Sequence, residues 1–135
     1  MTEATSPNSA TSAVVDASAV VRAHIDDDAV AQQWLETEVF WPTLVYAEVA
    51  NALLRLHRHG LSIDRARAAL DAVHALDGNA RPVESLVRAA WATALARSLT
   101  VYDACYVVLA ETLDVPLVTA DRRLAAATPN SVLLA

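Results

Sequence analysis

From residue 13 onward, short apolar runs rich in β-branched residues alternate with stretches of helical character, and this alternation limits the possible folds more than any other feature. Ala13 to Asp16 reads as a short strand, followed by a helical segment that breaks near the acids Asp26 to Asp28. A helix from about Asp28 to Thr37 leads into a strand, Val39 to Trp41. Pro42 is expected to end that strand, and Thr43 to cap a helix that runs to about His59 and stops at Gly60. Ser62 is expected to cap a helix from Ile63 to about Leu76, and "DGN" is a turn. Then come a strand over Ala80 to Val83, a helix from Glu84 to Ser98, and a helix from about Tyr102 within "TVYDACYVVLAETL". "VPLVTA" reads as a buried strand, "DRRLAAA" as a short helix and "SVLLA" as a last strand. Strands that alternate with helices imply an α/β fold whose mostly parallel sheet is covered on both faces. Such sheets bind ligands beyond the carboxyl ends of their strands.

The 135 residues suit one domain, expected over residues 13–135, and "MTEATSPNSATS" over residues 1–12 reads as a disordered lead-in rather than a secretory signal. Although 55% of residues are apolar, no apolar run reaches the roughly 18 residues that span a bilayer. The reading is therefore a domain with no membrane segment that keeps some apolar surface for a partner. The single cysteine, Cys105, permits no intrachain disulfide, which suits a reducing cytoplasm. It reads as a small buried hydrophobe. The four histidines make no zinc pattern with it. A net charge of −6 argues against non-specific nucleic-acid binding.

Four carboxylates stand in unusual places. Asp16 interrupts the apolar run "VVDASAVV", and Asp121 follows the strand "PLVTA", so both belong to the same edge of a parallel sheet. Asp103 opens the helix leading into that second strand. Glu48 lies in mid-helix, heading a polar stripe with Asn51 and Arg55. Each acid alone has an ordinary structural reading: Asp16 and Asp121 as helix caps, Asp103 as a cap or first-turn acid, Glu48 as part of a solvated face. Gathered at one edge they would repel one another, and a hard divalent cation, Mg²⁺ or Mn²⁺, would relieve the repulsion. Ser18 and Thr119 would supply supporting hydroxyls. Such a site polarises phosphate and activates water, which is the chemistry of phosphodiester hydrolysis. Arg55, Arg58, Arg122 and Arg123 are the candidate phosphate contacts, with a solvated helix face as their ordinary reading.

In this order, "VVDASAVV", "LVYAEVANALLR", "TVYDACYVVLAE" and "LVTADRRL" resemble the PIN-domain nucleases, and among them the VapC-like toxins of type II toxin–antitoxin systems. The resemblance covers nearly all of the chain after the first dozen residues. It implies a three-layer α/β/α fold with a short parallel sheet and Mg²⁺- or Mn²⁺-dependent endoribonuclease activity. Asp16 would then be the central metal ligand, completed by Glu48, Asp103 and Asp121, with Ser18 and Thr119 in support. It further implies an RNA substrate, a homodimer, and a cognate antitoxin whose C-terminal segment covers the site. In one respect the chain departs from the pattern: many relatives carry another acid two residues after the last aspartate, where this chain has Arg123.

Other functions fit less well. All ten basic side chains are arginines, and the absence of lysine counts against receiver domains and haloacid-dehalogenase-like phosphatases. A PIN fold that only binds a partner, and a PIN nuclease of RNA maturation, remain as alternatives. Trp34, Trp41 and Trp91 are expected in the core or in a dimer contact. Tyr46 and Tyr102 lie near the acids in sequence and are expected to pack.

Overall fold

A computed structural model describes residues 6–7, 12–76 and 78–135. The expected lead-in therefore lies largely outside the described residues, and Ser12 already belongs to the first strand.

The strands are β1 (Ser12–Val15), β2 (Glu38–Pro42), β3 (Asn79–Arg81), β4 (Leu117–Thr119) and β5 (Ser131–Leu133). They form one sheet in the order β3-β2-β1-β4-β5, with every neighbouring pair parallel. Ala13 lies opposite Val39, and Val14 opposite both Phe40 and Leu117. Side chains alternate between faces along a strand, so the burial of Ala13, Val14 and Val15 in succession requires cover on both faces. Removing a valine or leucine side chain from water in this way contributes about 1.5–3 kcal/mol.

Seven α-helices supply the cover among the described residues: α1 (Ala17–Ile25), α2 (Ala29–Leu35), α3 (Leu44–Arg58), α4 (Ile63–Ala75), α5 (Val87–Arg97), α6 (Val101–Leu113) and α7 (Arg122–Ala126). The result is a three-layer α/β fold. α6 lies against β1, β2 and β4 and carries α5 on its other side, while α3 joins α1 and α4. Local chemistry sets the helix starts. Asp16, Asp28, Ser62 and Thr100 each accept a hydrogen bond from a first-turn backbone N–H, satisfying donors that the helix cannot. The sharp stops after α5 and α6 use left-handed backbone at Ser98 and Asp114, and Gly60 takes a φ of +114° just past α3.

Three local expectations need correction. Thr43 has helical backbone and makes no side-chain cap bond; its hydroxyl instead accepts the N–H of Val83 at 3.2 Å, tying the start of α3 to the segment after β3. β3 covers Asn79–Arg81, not Ala80 to Val83, because Pro82 has no N–H to continue the ladder and leads into a 3-10 turn, Val83–Ser85. That turn takes up the start expected for the next helix, so α5 opens at Val87.

The tryptophans divide. Trp34 and Trp41 are buried, whereas Trp91 is 61% exposed. Gly78 lies so close to Trp41 that a Cβ there would come within 2.5 Å of the indole ring. Cys105 is buried, as expected of a small hydrophobe.

Candidate active site

β1 is the point where the chain reverses direction across the sheet. From β1 it builds outward to β2 and β3, then returns to place β4 and β5 on the other side. The crevice outside the carboxyl ends of β1 and β4 is thus the switch point at which open α/β sheets bind ligands. Asp16 is the residue after β1, and Asp121 lies two residues beyond β4.

Asp16 is 5% exposed. Its Oδ1 accepts hydrogen bonds from the Ser18 hydroxyl at 2.7 Å and the Ala19 N–H at 3.0 Å, and its Oδ2 accepts from the Thr119 hydroxyl at 2.6 Å. The backbone locks the two hydroxyls in turn. Ser18 Oγ accepts from the Ala120 N–H at 2.9 Å, and Thr119 Oγ1 from the Asp121 N–H at 3.0 Å. Each hydroxyl has one proton, and both protons point at Asp16. The 3.3 Å approach of Ser18 Oγ to Thr119 Oγ1 is therefore a contact between two acceptors. Even so, burial outweighs these bonds, and with a further push from the charge of Asp103 the Asp16 carboxyl is driven up to about 6.

The other three acids come from three helices. Asp121 is exposed and caps α7 through Oδ1, which accepts from the N–H groups of Arg123 and Leu124. Asp103 is half-buried in the first turn of α6, whose cap is Thr100. Burial and the charge of Asp121 push its carboxyl above the usual range, against the Thr100 hydroxyl and the Arg123 guanidinium. Glu48, half-buried on α3, accepts a hydrogen bond on Oε1 from the Tyr106 hydroxyl at 2.6 Å. Burial pushes it upward, Tyr106 opposes, and the charges of Asp103 and Asp16 add to the rise.

All four acids line one cleft of about 590 Å³, a volume that accommodates a small ligand or a nucleotide-sized group. Ser18, Asn51 and Arg55 line it too, as do Tyr106, Arg22 and His59, which the sequence did not single out. Thr119 acts from behind, through Asp16. Arg58, Arg122 and Arg123 are exposed and are not among the lining residues. Tyr46 packs against Trp41 and His74, and Tyr102 is exposed, contrary to the expectation that it packs. The signal for Tyr106 was its place three residues after Asp103 on one helix, which puts both on one face.

Among the described residues, none of the four acids forms an ion pair; the salt bridges join Arg22 to Asp26 and Asp28, and Arg97 to Glu111. Nor do three or more His, Cys, Asp or Glu side chains there close into a set able to hold a metal by themselves. Asp16 is drawn back onto its three donors and Glu48 onto Tyr106. An all-oxygen donor set of this openness fits a hard cation that retains several waters and needs only one or two carboxylates.

The PIN domain pattern matches residues 13–128, which include all but the first residue of β1, the strands β2 to β4 and all four acids. The chain belongs to the PIN domain family. Among its relatives, Ribonuclease VapC1 of Mycobacterium tuberculosis is 48% identical over 88 residues, which are 64% of this chain; the match spans 65% of that relative's length. VapC ribonuclease Mb0985 of Mycobacterium bovis is 39% identical over 82% of this chain and 87% of its own. The crystal structure of PAE2754 from Pyrobaculum aerophilum is similar over 93% of this chain and 91% of that one, with 30% identity and a TM-score of 0.69. A toxin–antitoxin complex from Klebsiella pneumoniae shares the fold at a TM-score of 0.62 and 19% identity, over 89% and 95% of the two chains.

Proposed function

We propose that this chain is a Mg²⁺- or Mn²⁺-dependent endoribonuclease and the toxin of a toxin–antitoxin pair. One observation carries the reading: Asp16, Glu48, Asp103 and Asp121 line a single cleft, and among the described residues no basic side chain pairs with any of them. Membership of the PIN domain family and the ribonuclease names of the relatives support it.

Asp16, Asp103, Asp121 and Glu48 would hold the ion. Bound there, it would polarise a phosphodiester and lower the pKa of a water. Asp16 is held at a fixed angle by Ser18, Thr119 and the start of α1, so it meets a cation without first losing rotamer freedom. Arg55 and Asn51 extend from Glu48 along α3 to the wall of the cleft, where Arg55 meets a neighbouring RNA phosphate and offsets the chain's negative charge. The acids with raised pKa are suited to take the proton of the attacking water. The water oxygen bonds to phosphorus, the bond from phosphorus to the 3′ oxygen breaks, that oxygen takes a proton from solvent, and the products carry a 3′-hydroxyl and a 5′-phosphate.

The partners follow the same reading. An antitoxin segment covers the acidic cleft, supported by the shared fold of the Klebsiella pneumoniae toxin–antitoxin complex. A second copy covers α5, where Val87, Trp91 and Leu95 recur every four residues and are 39%, 61% and 72% exposed. RNA is cut in the cytoplasm. Among the described residues no helix is long and apolar enough to cross a membrane.

The decisive experiment compares cleavage of an RNA by the wild type and Asp16→Asn with Mg²⁺, with Mn²⁺ and with EDTA. Cleavage by the wild type with metal only is expected. Equal cleavage in every condition would overturn the metal dependence, and no cleavage by antitoxin-free wild type would favour a binding-only role. Light scattering on the wild type and Trp91→Glu checks the dimer, with the substitution expected to yield monomer.

A further inference from the structure

Among the residues of the cleft, Tyr106 alone places a buried side-chain hydroxyl on one of the acids from a different helix. Its side chain is 1% exposed, and its hydroxyl spans a sequence separation of 58 residues to reach Glu48 Oε1 at 2.6 Å. That length belongs to a charge-assisted O–H···O⁻ bond. The phenolic hydroxyl has one proton, and the geometry directs it at Glu48 Oε1.

The bond divides the two oxygens of Glu48. Oε1 is committed to Tyr106, and Oε2 makes no hydrogen bond among the described residues. No buried side-chain nitrogen or oxygen there lacks a partner, so Oε2 is not buried. Glu48 is therefore fixed by one oxygen and open by the other, in a cleft it shares with Asp16 and Asp103. A glutamate has three side-chain torsions, and an unanchored one on a helix surface would spread over several rotamers.

We propose that Tyr106 is a positioning residue that pins Glu48 through Oε1 and presents Oε2 to a divalent cation in the cleft. The inference rests on the metal-dependent reading above and extends it to a residue that never touches the ion. Tyr106 belongs to both the core and the site: its ring is part of the hydrophobic core, and its hydroxyl fixes one acid of the cleft.

The test is a calorimetric Mn²⁺ titration of antitoxin-free protein in four forms: wild type, Tyr106→Phe, Glu48→Gln, and the double variant. Phenylalanine keeps the buried ring, and a circular-dichroism melt of each variant confirms folding. Tyr106→Phe is expected to weaken Mn²⁺ binding by about 10-fold or more, in the range seen when a residue supporting a metal ligand is lost. In the Glu48→Gln background the same change is expected to have no further effect, because Tyr106 acts only through that carboxylate. Wild-type affinity in Tyr106→Phe would overturn the positioning role while leaving the metal reading intact. An equal loss in both backgrounds would also overturn it, since the hydroxyl would then act through general structure. Absence of Mn²⁺ binding by the wild type would overturn both readings together.

Discussion

Two groups of charged residues in this molecule solve the same problem in opposite ways. Outside the cleft, Glu111 on α6 takes both nitrogens of the Arg97 fork from α5 at 2.9 and 3.0 Å and a bond from the Thr128 hydroxyl, while Arg97 also donates to the Ala127 carbonyl. Those bonds hold the Glu111 carboxyl below its usual range. At the switch point, Asp16, Glu48 and Asp103 are all pushed above theirs, and the described residues provide no ion pair for any of them. A chain with ten arginines could have neutralised the second group as it neutralised the first. Arg22 and Arg55 line the same cleft without pairing to these acids, and raised carboxylates left unpaired in a cleft weaken the fold and are characteristic of functional sites.

The largest test of this contrast is Asp16→Asn. Cleavage of RNA is expected to fall on the order of 10²–10³-fold, the scale on which removal of one preorganised charge-stabilising group is felt. The metal-free protein is expected to melt a few degrees higher than the wild type at pH 7.5. The amide can replace the carboxylate with one N–H placed on a hydroxyl and little rearrangement. Oδ1 still accepts from Ser18 and Ala19, the new NH₂ donates to Thr119 Oγ1, and the Thr119 proton turns across the 3.3 Å contact to Ser18. A variant both inactive and more stable would show that the charge is kept for function. A lower melting temperature with full activity would make Asp16 an ordinary helix cap.

This double role explains what the sequence could reveal. The alternation of strands and helices was legible because parallel strands buried on both faces are nearly continuous apolar runs, and a carboxylate inside one stands out. Asp16 and Asp121 were legible as caps and as site acids, and the structure makes them caps; only the shared cleft distinguishes them from other capping aspartates such as Asp28. Tyr106 was legible only as a neighbour of Asp103 on one helix face, because a tyrosine in "DACYVVLAE" reads as core until the fold brings its hydroxyl to Glu48. The 3-10 turn after β3 was hidden because three residues are too few to show a period. Arg58, Arg122 and Arg123 follow site acids in sequence but do not line the cleft, and of the three the Arg123 charge reaches Asp103.

A smaller effect is expected from pH. A carboxyl whose folded pKa is raised binds its proton more tightly folded than unfolded, so it costs stability above the folded pKa and the cost is relieved as pH falls. For Asp16 the window runs from about 6 down to the ordinary 3.8, and the relief is at most about 3 kcal/mol. Glu48 and Asp103 act in the same direction. Thermal melts in EDTA are therefore expected to rise from pH 7.5 to about pH 5, with a flatter profile in saturating Mn²⁺. An EDTA profile that falls steadily over this range would remove the electrostatic case for a cation in the cleft.

The smallest effect belongs to the other group. Glu111 works with the opposite sign: its depressed pKa contributes stability above its unfolded value, which is lost as pH falls through the folded one. Arg97 and Glu111 are 36% and 40% exposed, so solvent screens the pair and its contribution is expected below about 1 kcal/mol despite the two-pronged geometry. Glu111→Gln keeps one acceptor for Arg97 and for Thr128, and should lower the melting temperature by no more than about 3 °C. RNA cleavage should not change, because Glu111 and Arg97 stand outside the acidic cleft. Equal losses of activity in Glu111→Gln and Asp16→Asn would erase the contrast, making charge anywhere on α6 matter to the fold rather than charge at the switch point matter to the chemistry.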